Sequence, residues 1–377
     1  MSVPYAFQFL TEMNERGASD LYLSHGFPPT LRIENRFESI NDTPLDEKAL
    51  ADILSNVLTA RQQREFETQM ELNTALDMGQ HGRFRVNVFK QRQMPGLVIR
   101  RIISKIPTLE DLNLPSILNS LACEARGLVL LTGMTGSGKS TTLASMIDHR
   151  NETRQGHILT IEDPIEYHHD HKKSVVTQRE IGVDTESYNI ALKNALRQRP
   201  DVILIGEIRD REVMEQALTI AETGHLCLAT LHTNNAYQAI ERVVNFFPEE
   251  MYGQIRLNLS MNLKAIISQR LLPSLKGGLV PAMEILLNQA LIRELIQKGE
   301  YEKITEIMEQ NASIGMCSFD QSLLALYANG FISDETAISQ SDKSSDMRVK
   351  IRQFNLGNAS GGLGGMDTST LAITDNY

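Results

Sequence analysis

The sequence predicts an α/β protein of two domains, the larger built on a parallel sheet. Three observations carry this. The chain has 377 residues, too many for one ordinary core and enough for two domains of roughly 100–200 residues each. Short apolar runs alternate with helical stretches from residue 127 onward, the pattern of strands joined by crossover helices. A glycine-rich loop follows the first of these runs and opens a helical stretch, as phosphate-binding loops do.

Residues up to about 100 read as a small α+β unit. Phe7–Met13 has helical character and stops near Gly17. Asp20–Ser24 alternates like a strand, and Gly26-Phe27-Pro28-Pro29 is a turn. Residues 46–70 are polar with helical periodicity. Gly82–Phe89 and Gly96–Arg100 both alternate and are expected to pair as a hairpin. A hinge is expected at Lys105–Thr108. Beyond it come the apolar runs Gly127–Thr132, His157–Ile161, Val202–Ile205 and Leu226–Thr230. From 248 to about 355 the pattern reads as mostly helical. The glycine- and serine-rich end cannot bury enough surface to offset its ordering entropy, so 356–377 reads as a disordered tail.

Composition narrows the function classes. With 41% hydrophobic and 22% charged residues, the chain has the make-up of a soluble globular protein. A formal net charge of −10 opposes a general duplex-binding surface. The three cysteines, Cys123, Cys227 and Cys317, form no Cys-x-x-Cys pair and suit a reducing compartment. No signal peptide is visible, and no run approaches the roughly 20 apolar residues that span a bilayer. Membrane association is therefore expected only through partners.

The chemistry centres on Gly133-Met134-Thr135-Gly136-Ser137-Gly138-Lys139-Ser140, a Walker A loop followed by Thr141. Its glycines let successive backbone N–H groups turn toward phosphate, and the helix N-terminus adds positive potential. Lys139 is expected to reach the β- and γ-phosphates of ATP, and the Ser140 hydroxyl to ligate Mg²⁺. Glu162-Asp163 ends one apolar run. Ile203-Leu204-Ile205-Gly206-Glu207 ends another and has Gly206 where a Walker B strand usually has its metal-side Asp. In a parallel sheet the strand C-termini gather at the ligand crevice, so these carboxylates are expected near the phosphates. Either Glu162 or Glu207 fits the group that polarises the attacking water. His225 and His232 flank the Leu226–Thr230 run and are candidates for sensing the γ-phosphate. His168, His169 and His171 fit a solvated loop better than a metal site, because neighbours in an extended segment point to opposite faces. Arg83, Arg85, Arg92, Arg100 and Arg101 crowd the predicted hairpin. They read either as an ordinary charged face or as an arginine finger given to a neighbouring subunit.

Together these motifs resemble the PilT/PilU branch of the secretion ATPase superfamily, the retraction motors of type IV pili. Gly17-Ala18-Ser19-Asp20-Leu21-Tyr22-Leu23 resembles its first-domain signature, and Thr160–Tyr167 its Asp box. Leu196–Asp201 through Gly206–Asp210 resembles its Walker B signature, and Ala221–Thr233 its His box. Tyr167–Lys173 and Gln178–Val183 look closer to PilU than to PilT. Leu291-Ile292-Arg293-Glu294-Leu295-Ile296 departs at Leu291 and Glu294 from the Ala-Ile-Arg-Asn-Leu-Ile motif of PilT.

The resemblance implies a PAS-like first domain over 1–104, a linker at 105–112 and a RecA-like ATPase domain with C-terminal helices over 113–355. It implies a homo-hexamer with ATP and Mg²⁺ at subunit borders, closed by a neighbour's first domain. Glu162 and Glu207 become the active-site acids, His225 and His232 the His box, and Arg85 and Arg100 the trans contacts to phosphate. The partners implied are a paralogous PilT-type motor and an inner-membrane pilus platform protein, at the cytoplasmic face of that membrane. The other readings are a pilus assembly or type II secretion ATPase, a nucleotide-stabilised ring supporting a partner motor, and a DNA translocase.

Overall fold

A computed structural model describes residues 5–33, 36–79, 82–102 and 105–359. Most of the predicted tail lies outside them. Its first residues, 356–359, continue the last helix, α14 (Ser344–Ala359), because the glycine-rich composition begins only beyond that point. Among the described residues no helix is long and apolar enough to cross a membrane.

The chain forms two compact units. The first holds the residues up to Lys105 together with two later segments, Ile165–His169 and Glu180–Glu186. Its elements are α1 (Tyr5–Glu15), β1 (Asp20–Ser24), β2 (Thr30–Ile33), β3 (Arg36–Ser39), α2 (Glu47–Val57), α3 (Ala60–Gln69), β4 (Glu71–Asp77), β5 (Arg83–Gln91) and β6 (Met94–Ile102). The expected helical stretch over 46–70 is broken at Thr59. That residue caps α3 with a reciprocal capping box to Gln62, satisfying backbone donors that a continuous helix would bond internally. The six strands form one sheet in the order β3-β2-β1-β6-β5-β4, and β5 and β6 pair antiparallel as expected. Alternation sets the two faces: Phe84, Val86 and Val88 point into a core with Leu21, Leu23, Leu97 and Ile99.

The second unit carries a seven-stranded sheet in the order β13-β12-β7-β11-β10-β8-β9. It uses β7 (Gly127–Thr132), β8 (Gly156–Glu162), β9 (Ser174–Glu180), β10 (Val202–Ile205), β11 (Leu226–Leu231), β12 (Leu263–Pro273) and β13 (Leu279–Leu287). β12, β7, β11, β10 and β8 are parallel. Every residue of β7, β10 and β11 is buried, as in a parallel sheet covered on both faces. The covering helices are α4 (Ile117–Ala122), α5 (Lys139–Thr153), α6 (Tyr188–Ala195), α7 (Arg211–Glu222), α8 (Ala236–Asn245), α9 (Tyr252–Asn262), α10 (Ala290–Lys298), α11 (Ile304–Gln310), α12 (Phe319–Ala328), α13 (Asp334–Gln340) and α14. Residues 263–287 depart from the helical reading of this region, since they are the antiparallel pair β12–β13. Lys264, Ser268, Gln269 and Arg270 interrupt the apolar residues of β12, so it shows neither strict alternation nor an unbroken apolar run.

Candidate nucleotide site

The parallel order brings four strand ends to one edge. Thr132 ends β7 beside Leu231 of β11, and Ile205 of β10 lies beside Ala229 of β11 and Ile161 of β8. The Walker A loop, His232, Glu207 and Glu162 therefore follow or end adjacent strands. At about 4.8 Å per strand the loop and Glu207 leave the sheet roughly 10 Å apart.

Gly133 opens the loop with φ of 148°. A Cβ there would sit 2.4 Å from the Gln269 carbonyl oxygen and 2.5 Å from Ser137 Oγ, so only glycine lets the backbone pass. Gly136 and Gly138 follow with φ of 80° and 86°, turning the chain into α5. Lys139 Nζ donates to the carbonyls of Gly133 and Met134 at 2.8 and 2.9 Å, which folds the ammonium over the loop. Thr135 and Gly136 are exposed, and Ser140 and Thr141 are half-buried. Ser137 Oγ is buried and lacks a hydrogen-bond partner. A curled loop with an unpartnered buried hydroxyl and a cation above it fits a polyphosphate. The hydroxyl of Ser140 and the carboxylates at the same sheet edge are hard oxygen donors, which fits Mg²⁺. A cleft of about 1030 Å³ borders the loop, with Asn235, Gln238, Gln269 and Arg270 in its wall.

The acids are held by different partners. Glu162 Oε1 accepts from Thr160 Oγ1 at 2.6 Å and Gln178 Nε2 at 3.2 Å. Glu207 lies between two donors: His232 Nε2 is 3.1 Å from Oε1, and Arg209 Nε is 2.8 Å from Oε2. Arg209 also reaches Asp163 at 3.3 Å, and its hydrogen bond to Glu207 holds its pKa above the ordinary value. Tyr188 stands among these charges. Burial, then Asp163, pushes its phenol pKa up. A Cβ at Gly206 would meet the Tyr188 hydroxyl at 2.9 Å, Glu162 Cα at 3.2 Å and the Ile161 carbonyl at 3.3 Å. The glycine in place of the Walker B Asp thus has a spatial reason: a side chain there would have to push the Tyr188 hydroxyl aside and crowd the backbone of β8.

His232 joins the acidic group and His225 does not. His225 precedes β11, and its carbonyl accepts from Gly127 N at 3.0 Å. Seven residues of extended chain place it roughly 23 Å from His232, at the opposite edge of the sheet. Its Nδ1 is 3.2 Å from Thr223 Oγ1. In the first unit, Arg85 faces Arg100 across β5–β6, and Arg100 faces Asp20 across β6–β1. Arg100 pairs with the buried Asp20 at 2.7 Å, and that hydrogen bond raises its pKa. Arg85 and Arg83 lie near Glu180, whose pKa burial raises against their pull. Of the three histidines read as a solvated loop, His169 is buried and His171 Nδ1 accepts from Val176 N at 3.0 Å.

Tyr188 and Gln269 were not singled out from sequence, whereas Thr160 opens the Asp box stretch. Arg209 and Gln178 fall inside motif stretches and were legible there. Tyr188 carries no pattern at all, since only the close approach of Gly206 identifies it.

The family described as type II/IV secretion system protein matches residues 8–317. A type IV pilus ATPase, PilU, of Pseudomonas aeruginosa is 48% identical over 346 residues, covering 92% of this chain and 91% of that protein. The type IV pilus retraction ATPase PilT of the same organism is 44% identical over 323 residues, 86% of this chain and 94% of that one. A crystal structure of the pilus retraction motor PilT with bound ADP superposes with a TM-score of 0.86 at 40% identity, covering 92% of this chain and all of that one.

Proposed function

The chain belongs to the type II/IV secretion system protein family, in its PilT/PilU branch, and from that premise we propose that it is an ATP-hydrolysing motor of type IV pilus retraction, serving twitching motility. The observation that carries the reading is one sheet edge that presents the Walker A loop, Glu162 and the Glu207–His232–Arg209 cluster together.

The loop N–H groups and Lys139 bind the triphosphate, in a cradle formed by Gly133, Thr135, Gly136, Ser137, Gly138, Ser140 and Thr141. Ser140 would hold Mg²⁺, which would supply positive charge to offset that of the phosphates. Both oxygens of Glu207 are engaged, by His232 and Arg209. We assign Glu207 to orienting His232 toward the γ-phosphate, and Glu162, at the end of the adjacent strand β8, to polarising the attacking water. Arg85 and Arg100 are the cations proposed to reach a neighbouring copy's phosphates. His225, at the far edge of the sheet, takes no part in this set.

The proposed assembly is a homo-hexamer at the cytoplasmic face of the inner membrane. It acts on a pilus platform protein beside a PilT-type motor, in the accessory PilU role. Two features of α10 support that role. Leu291 is exposed, and Glu294 is paired with Lys298 at 2.5 Å, where PilT has Ala and Asn.

The test is Mg²⁺-dependent ATP turnover of the purified chain beside Lys139→Ala and Glu162→Gln, with oligomer mass read on the same samples. Hydrolysis by a hexamer, lost in both variants, is the expected result. An intact wild-type hexamer that hydrolyses no ATP would overturn the reading.

A further inference from the structure

Behind the nucleotide site lies a buried polar chain that the mechanism above does not use. Glu284 sits on β13 opposite Ser268 of β12 and is 2% exposed. Its Oε1 accepts two hydrogen bonds, from Ala236 N at 2.6 Å and from Ser268 Oγ at 3.2 Å. Ser268 Oγ in turn accepts from Thr132 Oγ1 at 3.0 Å. Ser268 and Thr132 are both fully buried. Thr132 is the last residue before the Walker A loop, and Ala236 opens α8 four residues after His232.

A carboxyl group this deep is costly unless its bonds are specific. The Ala236 N–H is one of the donors a helix start leaves without an internal partner, and the positive end of α8 favours an acceptor there. Asn235 caps the same turn by accepting from Gln238 N at 3.0 Å. The only segment between Ala236 and His232 is Thr233-Asn234-Asn235.

We infer that Glu284 is a positioning residue for hydrolysis: its carboxyl group ties the start of α8, and through it His232, to the strand end that carries the Walker A loop. This rests on the ATPase reading above. Burial pushes the Glu284 pKa up to about 7. Asp342 adds to the rise, while the bonds from Ala236 and Ser268 and the charge of Arg270 oppose it. Cys317 also faces the group, and its own thiol pKa is raised mainly by burial. The ionised carboxylate accepts more strongly than the neutral acid, so the tie tightens as pH rises through neutrality.

The experiment compares Glu284→Ala and Glu284→Gln with wild type and Lys139→Ala, reading kcat and KM for ATP from pH 6 to 8.5. Glu284→Ala is expected to lower kcat about tenfold with KM within about twofold, since it removes two hydrogen bonds remote from the nucleotide. Glu284→Gln keeps an acceptor oxygen but cannot ionise. It is expected to stay within about threefold of wild type at pH 8 and to lose the part of the pH profile that Glu284 contributes near 7.

Wild-type kcat and pH profile in Glu284→Ala refute the proposal, as does equal loss in both variants with a matching loss of folded protein. If Glu284→Ala fails to fold, Glu284→Gln decides alone, and an unchanged pH profile refutes. Amide exchange at Ala236–Gln238 requires no turnover and separates this idea from the ATPase reading. Faster exchange in Glu284→Ala is expected with or without hydrolysis, since only that variant removes the acceptor of the Ala236 N–H, and wild-type protection there refutes the tie.

Discussion

Gly206→Ala tests whether space explains the glycine at the end of β10. Gly206 has no left-handed backbone angle, so alanine meets no conformational barrier there. It does meet atoms. The new methyl carbon would lie 2.9 Å from the Tyr188 hydroxyl, 3.2 Å from Glu162 Cα and 3.3 Å from the Ile161 carbonyl. Two of these belong to the backbone of β8 and cannot swing aside. Overpacking of this kind costs about 1–3 kcal/mol. Replacing glycine offsets about 0.4–1 kcal/mol by reducing unfolded-chain entropy. The net is a destabilisation of about 0.5–2 kcal/mol, or roughly 2–6 °C in Tm for a unit of this size. Tyr188→Phe removes the tightest contact and leaves the other two, so the double variant should recover part of the loss as a coupling of about 1 kcal/mol. Thermal melts of the four proteins measure this. ATP turnover should fall in Gly206→Ala more than stability does, because pressure on Glu162 Cα moves the carboxylate proposed to polarise the attacking water. Gly206→Asp, which supplies the usual Walker B acid, should be worse than Gly206→Ala. Wild-type Tm and turnover in Gly206→Ala would refute the argument.

Two further outcomes follow from the same geometry. Gly133→Ala forces a methyl group to 2.4 Å from the Gln269 carbonyl, so calorimetric titration with ADP should show affinity at least about tenfold weaker, and unchanged affinity would show the loop tolerates a side chain. Glu284 has its folded pKa raised from 4.5 to about 7, so its contribution to stability is fully present below pH 4.5 and is lost as pH rises through about 7. Some 2.5 units correspond to about 3 kcal/mol, and urea melts should show Glu284→Gln gaining about that much on wild type between pH 4 and pH 8; an equal difference at both pH values would contradict the burial argument.

Much of the architecture was legible because the local signals agree. β1, the β5–β6 hairpin and four strands of the parallel sheet, β7, β8, β10 and β11, appear where alternation or unbroken apolar runs placed them, and the Walker A loop sits at its expected strand–helix junction. The losses have physical reasons. β2 and β3 are four-residue strands, and β3 is exposed along its length, so neither face shows a pattern. β12 was hidden because Lys264, Ser268, Gln269 and Arg270 break up its apolar residues. At the site, Lys139, Glu162, Glu207 and His232 were named from their motifs. His225 was named with them, yet a motif records spacing along the chain, and seven extended residues carry it across the sheet. Tyr188, Gln269 and Glu284 act through contacts between segments far apart in sequence, which no local pattern encodes.

The two segments that return to the first unit, Ile165–His169 and Glu180–Glu186, bear on how the protein is made. The ribosome delivers the chain in order, so the first unit is short of material when Lys105 has emerged. Glu180, whose carboxyl group lies near Arg83 and Arg85, arrives only after the whole nucleotide-binding loop and all of α5 have been synthesised. At roughly 5–20 residues per second the wait lasts several seconds. A fragment ending at Lys105 would carry those arginines without that carboxylate. Its apolar core, from Ala6 to Ile99, is complete by then, so what the later segments bring to the first unit is added to a core already made.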